Sequence, residues 1–98
     1  MIQIETTLEK EGWIRLGEAQ KLTQDLVLEI EEKVSPLLPG LLTIYINLKG
    51  IHAVDSASVN ALRKMTTNFM NLGCAVRYSS VSESIDEIIG NLSISSDG

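Results

Sequence analysis

The stretch LTIYINLKGIHAVDSASV, residues 42–59, contains the change of hydrophobic period that decides the fold. Residues 42–48 alternate between apolar and polar positions and are rich in β-branched side chains, which predicts a strand in the centre of a sheet. Apolar residues then recur at every third or fourth position over 59–72, which predicts an amphipathic helix. The pair Asp55-Ser56 lies at the start of that helix, where either side chain can cap the free N–H groups of the first turn.

Strands and helices are predicted on both sides of this stretch. Apolar residues separated by polar ones over 2–8 predict a first strand, and residues 13–16 predict a second strand that pairs with it as a hairpin. Apolar residues four positions apart predict a helix from about Thr23, which the proline- and glycine-containing segment 36–40 ends. Further along, the sequence predicts a helix end at Gly73, a strand at 74–78, a helix at 82–90, a short strand at 92–94 and a frayed tail at 95–98.

This order of elements predicts a single α/β domain over residues 1–98. We expect a mixed, mostly parallel sheet of four to five strands with an N-terminal hairpin and about three packed helices, because alternating strands and helices form right-handed crossovers. Functional residues of such sheets lie in the loops that leave the carboxyl ends of the strands. This rule indicates residues 17–21 and 50–58.

The charge balance of the chain excludes nucleic acid as a partner. Eight Lys and Arg against thirteen Asp and Glu give a formal net charge of −5, and the basic residues are scattered. The most apolar stretch, residues 37–42, is far too short to span a bilayer. Cys74 has no second cysteine to pair with, and the N-terminus lacks the pattern of a signal peptide. We therefore expect a cytoplasmic protein that is not inserted into a membrane.

The sequence contains no combination of residues with catalytic spacing. His52 has no cysteine, serine or carboxylate at a distance along the chain that defines a metal or nucleophile site, and Cys74 fits a buried strand position. The glycines form neither a dinucleotide fingerprint nor a phosphate-binding loop, and the acidic pairs at 31–32 and 86–87 are typical of solvated helix faces. We predict no catalytic residue, no metal ion and no cofactor.

From residue 44 to residue 89 the sequence resembles the STAS domain, the module of sulphate transporters and anti-sigma-factor antagonists. It is most similar to the small free-standing bacterial antagonists. The strand Tyr45-Ile46-Asn47-Leu48, the connector at 49–54 and the pair Asp55-Ser56 carry the resemblance. Shorter matches are Gly17-Glu18 before the first helix, Gly73-Cys74-Ala75-Val76 at the fourth strand and Val81-Ser82 at the third helix.

The resemblance implies a STAS-like fold and a partner switch controlled by phosphorylation. In such antagonists a serine-kinase anti-sigma factor phosphorylates the serine that follows the aspartate, and a cognate phosphatase removes the phosphate. Ser56 would then be the phosphoacceptor, Asp55 would shape its loop, and the unphosphorylated form would bind the kinase and free the sigma factor. The residues that the resemblance assigns to partner contact are Glu18, Gln20, Asp55, Ser56, Ser58 and Asn60.

The sequence departs from the family pattern in both loops. Ser58 replaces the usual glycine, which makes it a second candidate acceptor. Ala19-Gln20 replaces the usual Leu-Asp, which removes a carboxylate from the partner-facing loop. After the third helix we expect no further helix of the kind that many relatives carry, so a second chain would cover an exposed sheet edge or helix face, and a dimer is one state that the sequence allows.

Two other functions stay open on the sequence alone. A STAS domain can serve a non-sigma output, as a regulator of biofilm formation or motility or as a subunit of a lipid-transport ATPase. A small enzyme is the alternative from a different class, and the lack of a converging acid, base, nucleophile or metal set disfavours it. A serine kinase and a sigma factor encoded beside this chain would favour the antagonist.

Overall fold

The computed structural model describes residues 2–79. The predicted helix at 82–90, strand at 92–94 and frayed tail at 95–98 lie outside the described residues. In chain order the described elements are β1 (Gln3–Thr6), β2 (Glu11–Arg15), β3 (Lys21–Leu22), α1 (Gln24–Val34), a 3₁₀ helix (Ser35–Gly40), β4 (Thr43–Asn47), β5 (Ala53–Val54), α2 (Ser56–Asn71) and β6 (Ala75–Ser79).

Four of these strands form the main sheet in the order β1-β2-β4-β6. β1 pairs antiparallel with β2, which confirms the predicted hairpin, whereas the β2–β4 and β4–β6 pairs are parallel. The strand predicted to be central, β4, lies between two parallel neighbours. Helix α1 connects β2 to β4 and helix α2 connects β4 to β6, as parallel pairing requires. The mostly parallel α/β fold is therefore confirmed.

One face of the main sheet contributes to the hydrophobic core. Ile46 on β4 is level with Ile14 on β2, and Ile44 is level with Val76 on β6. All four side chains are buried, and the alternation along each strand puts them on the same face. The helices complete the core with Val27, Ile30 and Val34 from α1 and with Leu62, Met65 and Phe69 from α2.

Side chains fix the ends of both helices. The Thr23 hydroxyl accepts a hydrogen bond from the Leu26 N–H at 3.1 Å, so α1 begins where its period predicts. Asp55 caps α2 in the same way. Gly73 has φ +86°, the left-handed conformation expected directly after a helix. The cap and period signals therefore predict both helices closely.

One local expectation was wrong. Leu8 lies in the β1–β2 turn and is fully exposed, because the strand ends at Thr6 and the chain reverses there through a hydrogen bond from Lys10 N–H to the Thr7 carbonyl. The α-helix ends as predicted at the proline- and glycine-containing segment, because α1 ends at Val34, but the segment 36–40 is itself helical. It belongs to a 3₁₀ helix, which accepts Pro36 because the first residues of a helix have no intrahelical partner for their N–H groups.

A second, two-stranded parallel sheet of β3 and β5 is not predicted by the sequence pattern. Lys21 pairs with Ala53 and Leu22 pairs with Val54. Two-residue strands are too short to show a period of two, so only the folded chain reveals them. This small sheet joins the segment that follows β2 to the segment that follows β4.

Candidate functional site

The two loops that the sequence indicates meet beyond the carboxyl ends of β2 and β4. These strands are parallel neighbours, so the loops that follow them leave the sheet at the same edge. The His52 N–H donates a hydrogen bond to the Gln20 carbonyl at 2.8 Å, directly next to the β3–β5 pairs. The loop containing Glu18 and Gln20 is therefore held beside the connector that leads to Asp55.

The connector between β4 and α2 is held by local hydrogen bonds. The Asn47 side-chain oxygen accepts from the Lys49 N–H at 2.9 Å, and the Ile51 N–H donates to the Leu48 carbonyl at 3.0 Å. Gly50 has φ +88°, a conformation that glycine adopts without steric cost. The Asn-Leu-Lys-Gly sequence therefore turns the chain tightly out of the sheet and towards α2.

Asp55 is the N-cap of α2 and has two partners. One carboxylate oxygen, Oδ1, accepts a hydrogen bond from the Ser58 N–H at 2.7 Å. The other, Oδ2, lies 3.9 Å from Nζ of Lys21 on β3, and both side chains are about half exposed. The pKa of Asp55 is lowered, mainly by the Ser58 N–H bond, with smaller contributions from the Ser58 hydroxyl and the Lys21 charge. The ionised Asp55 side chain therefore connects the start of α2 to Lys21 on β3.

Ser58 is fully buried and bonded to both backbone groups of Asp55. Its hydroxyl oxygen accepts a hydrogen bond from the Asp55 N–H at 3.0 Å, and its O–H donates one to the Asp55 carbonyl at 2.8 Å. Together with the carboxylate bond to the Ser58 N–H, these contacts form a capping box. The Ser58 oxygen is therefore not accessible to a second protein in this conformation.

Ser56 differs from Ser58 in being exposed. It is the first residue of α2, so its side chain lies at the helix N-terminus, where the free N–H groups favour negative charge. Asn60 is also exposed and follows one helical turn later. Glu18 and Gln20 are exposed in the neighbouring loop. The structure thus brings the predicted positions to one edge of the domain but leaves Ser58 inside it.

Lys21 also belongs to this site: it lies in the 17–21 loop that the sequence indicates, but its contact with Asp55 was not predicted. Its charge carries no signal in a chain with eight scattered basic residues. The β3–β5 pairing alone brings it to Asp55, and no local pattern predicts that pairing.

The structure also places His52 and Cys74, the two side chains that the sequence analysis weighed for catalysis or metal binding. His52 is exposed in the connector, and Cys74 is buried, which raises the pKa of its thiol. Within residues 2–79, no three His, Cys, Asp or Glu side chains are grouped in a way that could hold a metal ion. In the same part of the chain, no helix has the length and apolar character needed to cross a membrane.

Comparison with solved structures relates this arrangement to known proteins. The anti-sigma factor antagonist SpoIIAA in its unphosphorylated form superposes with a TM-score of 0.71 at 18% sequence identity, over 92% of this chain and 82% of that one. The Bacillus cell fate determinant SpoIIAA in its phosphorylated form gives a TM-score of 0.72 at 17% identity, over 98% and 86%. The chain has the SpoIIAA fold. The STAS-like architecture predicted from the sequence is thereby confirmed.

The SpoIIAA fold also occurs within much larger proteins. The murine solute carrier 26 family member A9, an anion transporter, matches with a TM-score of 0.70 at 14% identity over 95% of this chain, but over only 15% of its own length. No protein-family model and no curated protein sequence matches the chain. At these identities the likeness shows the fold, and the function has to be argued from the site.

Proposed function

We propose that this protein is an anti-sigma factor antagonist that acts as a phosphorylation-controlled partner switch. The observation that carries the proposal is the exposed Ser56, placed directly after the N-cap Asp55 and beside the 17–21 loop of a SpoIIAA fold. One neighbour with this fold was solved in both an unphosphorylated and a phosphorylated form. The unphosphorylated protein binds a serine-kinase anti-sigma factor, and a cognate phosphatase restores this form.

The chemistry of the switch requires nothing catalytic from this chain. The Ser56 oxygen forms a bond to the γ-phosphorus of ATP while the bond from that phosphorus to the β–γ bridging oxygen breaks. The hydroxyl proton passes to a base of the kinase, and ADP leaves. In this proposal the protein is a substrate and a ligand in the cytoplasm, not an enzyme.

A phosphate on Ser56 changes the partner surface more than the fold. It adds about −1.5 to −2 charge at neutral pH, which the helix N-terminus and the nearby Lys21 side chain accommodate within the domain. A partner surface that packs against the uncharged serine must either desolvate the charged phosphate or experience electrostatic repulsion from it. A hundredfold loss of affinity corresponds to about 2.7 kcal/mol, which one buried charge supplies readily.

The geometry favours Ser56 over Ser58 as acceptor. Ser56 is exposed, whereas Ser58 is fully buried and uses its hydroxyl in two hydrogen bonds. Phosphorylation of Ser58 would require the first turn of α2 to open. We therefore assign the acceptor role to Ser56, with Asp55, Asn60, Glu18 and Gln20 forming the surrounding partner contacts.

Phosphorylation by the serine kinase that co-purifies with the unphosphorylated protein tests the proposal. Mass spectrometry after incubation with kinase and ATP should locate one phosphate, on Ser56. Partner affinity should be retained in Ser56→Ala and fall at least thirtyfold in Ser56→Asp. Thr67→Asp, which adds the same charge at an exposed position further along α2, serves as the control and should bind normally. Modification at another residue, or equal binding by Ser56→Asp and wild type, contradicts the proposal.

A second function follows from the occurrence of this fold inside an anion transporter. A STAS module with a non-sigma output would use the same edge of the domain to regulate a different partner. The protein that binds the unphosphorylated form distinguishes the two functions. A serine kinase that also binds a sigma factor supports the antagonist, and a transport ATPase or a motility regulator supports the alternative.

A further inference from the structure

Ser58 has a fully buried hydroxyl that the proposed switch does not use. Three hydrogen bonds of 2.7, 2.8 and 3.0 Å connect it with Asp55, and they include both backbone groups of Asp55. Ser56 and Ala57 are enclosed between these two residues. These hydrogen bonds between Ser58 and Asp55 therefore hold the backbone conformation of the turn that contains Ser56.

The capping box of this chain needs the Ser58 side chain. The Asp55 carboxylate alone would satisfy the Ser58 N–H, but the Asp55 N–H would lose the oxygen that accepts it. A glycine or alanine at position 58 leaves that half of the box open, and the residue before the acceptor becomes freer to move. Lys21 contacts only the carboxylate of Asp55, at 3.9 Å and near solvent, so it cannot replace the lost backbone bond.

We propose that Ser58 is a positioning residue for the phosphorylation of Ser56. Its hydroxyl holds the turn 55–58 in the conformation that presents Ser56 to the kinase, and its burial keeps Ser58 itself unmodified. This inference rests on the proposed function, because it concerns the same acceptor. Without the Ser58 hydroxyl the turn populates other conformations, and the apparent affinity of the kinase decreases in proportion to the fraction of molecules that remain competent.

Steady-state kinetics with the full chain, the serine kinase that co-purifies with its unphosphorylated form and ATP test this role. For Ser58→Ala we expect KM for the protein substrate to rise about fivefold while kcat stays within about twofold. Ser58→Thr keeps the hydroxyl and should restore KM. The matched control is Tyr78→Phe, which removes a different hydrogen bond, to Thr66 on the same helix, and should leave KM unchanged.

Amide hydrogen exchange gives a readout that needs no kinase. The Asp55 N–H should exchange at least tenfold faster in Ser58→Ala than in wild type, and at an unchanged rate in Tyr78→Phe. An unchanged KM in Ser58→Ala, an equal rise in KM for Tyr78→Phe, or a phosphate on Ser58 in wild type overturns the positioning role. A wild-type protein without phosphate on Ser56 refutes the proposed function, and this inference with it.

Discussion

The hydroxyl groups of Thr66 and Tyr78 lie 2.7 Å apart and form a hydrogen bond between α2 and β6. Thr66 is in the middle of α2, and its side chain points into the domain. Tyr78 is on the face of β6 that packs against the core. The bond therefore fixes α2 on the sheet at a distance from the turn that contains Ser56.

Loss of the Tyr78 hydroxyl should destabilise the domain without affecting the switch. Tyr78→Phe leaves the buried Thr66 hydroxyl without its partner, which should cost about 1–2 kcal/mol in the free energy of unfolding. Urea denaturation measures this value. The double variant with Thr66→Val should lose less than the sum of the two single changes, and strict additivity would show that the hydroxyl groups do not interact.

Tyr78 also predicts a loss of stability at alkaline pH. Burial raises the pKa of Tyr78 from its ordinary 10.0 to about 12, although the bond to Thr66 opposes part of this rise. The unfolded chain therefore releases the Tyr78 proton first, so the stability present below about pH 10 is lost progressively as the pH rises towards 12. Thermal unfolding between pH 9 and pH 12 should show a steeper decline for wild type than for Tyr78→Phe. If the stability of Tyr78→Phe declined with pH as steeply as that of wild type, the raised pKa of Tyr78 would be contradicted.

Asp55 predicts the opposite dependence at acid pH. Its pKa is lowered below the ordinary 3.8, mainly by the Ser58 N–H bond, so the carboxylate stabilises the fold above about pH 4. This contribution is lost as the pH falls through the lowered pKa. Asp55→Asn keeps a capping oxygen but has no charge, so its unfolding free energy should approach that of wild type as the pH decreases below 4. A difference between the two that is constant from pH 6 to pH 2.5 would exclude this role of the charge.

Gly50 and Gly40 form a matched pair that tests the connector. Gly50→Ala places a Cβ on a residue with φ +88°, which should cost about 1–2 kcal/mol and displace the connector to Asp55. Gly40→Ala meets no atom within 4 Å and should change stability by less than about 0.5 kcal/mol. Urea denaturation of both variants, with kinase phosphorylation as a second measurement, makes the comparison. Equal stabilities would mean that the connector adopts a different conformation in solution.

The sequence predicts the principal elements because their signals are local. A period of two residues marks β4, a period of three to four marks α2, and the cap at Asp55 marks the start of the helix. The end of β1 was predicted too far along, at Leu8, because an apolar side chain in a turn looks the same in sequence as one in a strand. Local patterns therefore define the elements better than their ends.

The arrangement of the site depends on contacts between distant parts of the chain. The family resemblance gives Ser56 as the acceptor and Ser58 as a second candidate, and nothing in the sequence itself excludes Ser58. Burial of Ser58 separates them in the structure. The pairing of β3 with β5 and the approach of Lys21 to Asp55 likewise have no signal in either segment alone.

The amino-acid sequence by itself determines the α/β class, the central position of β4 and the placement of Asp55-Ser56 at the start of α2. Hydrophobic period and helix capping act over a few residues, so they do not depend on contacts with distant parts of the chain. The tertiary structure decides which loop lies beside Ser56, which serine is exposed and which cation is near Asp55. Those outcomes depend on the parallel packing of β2 against β4, which brings loops from separate parts of the chain to one edge of the sheet.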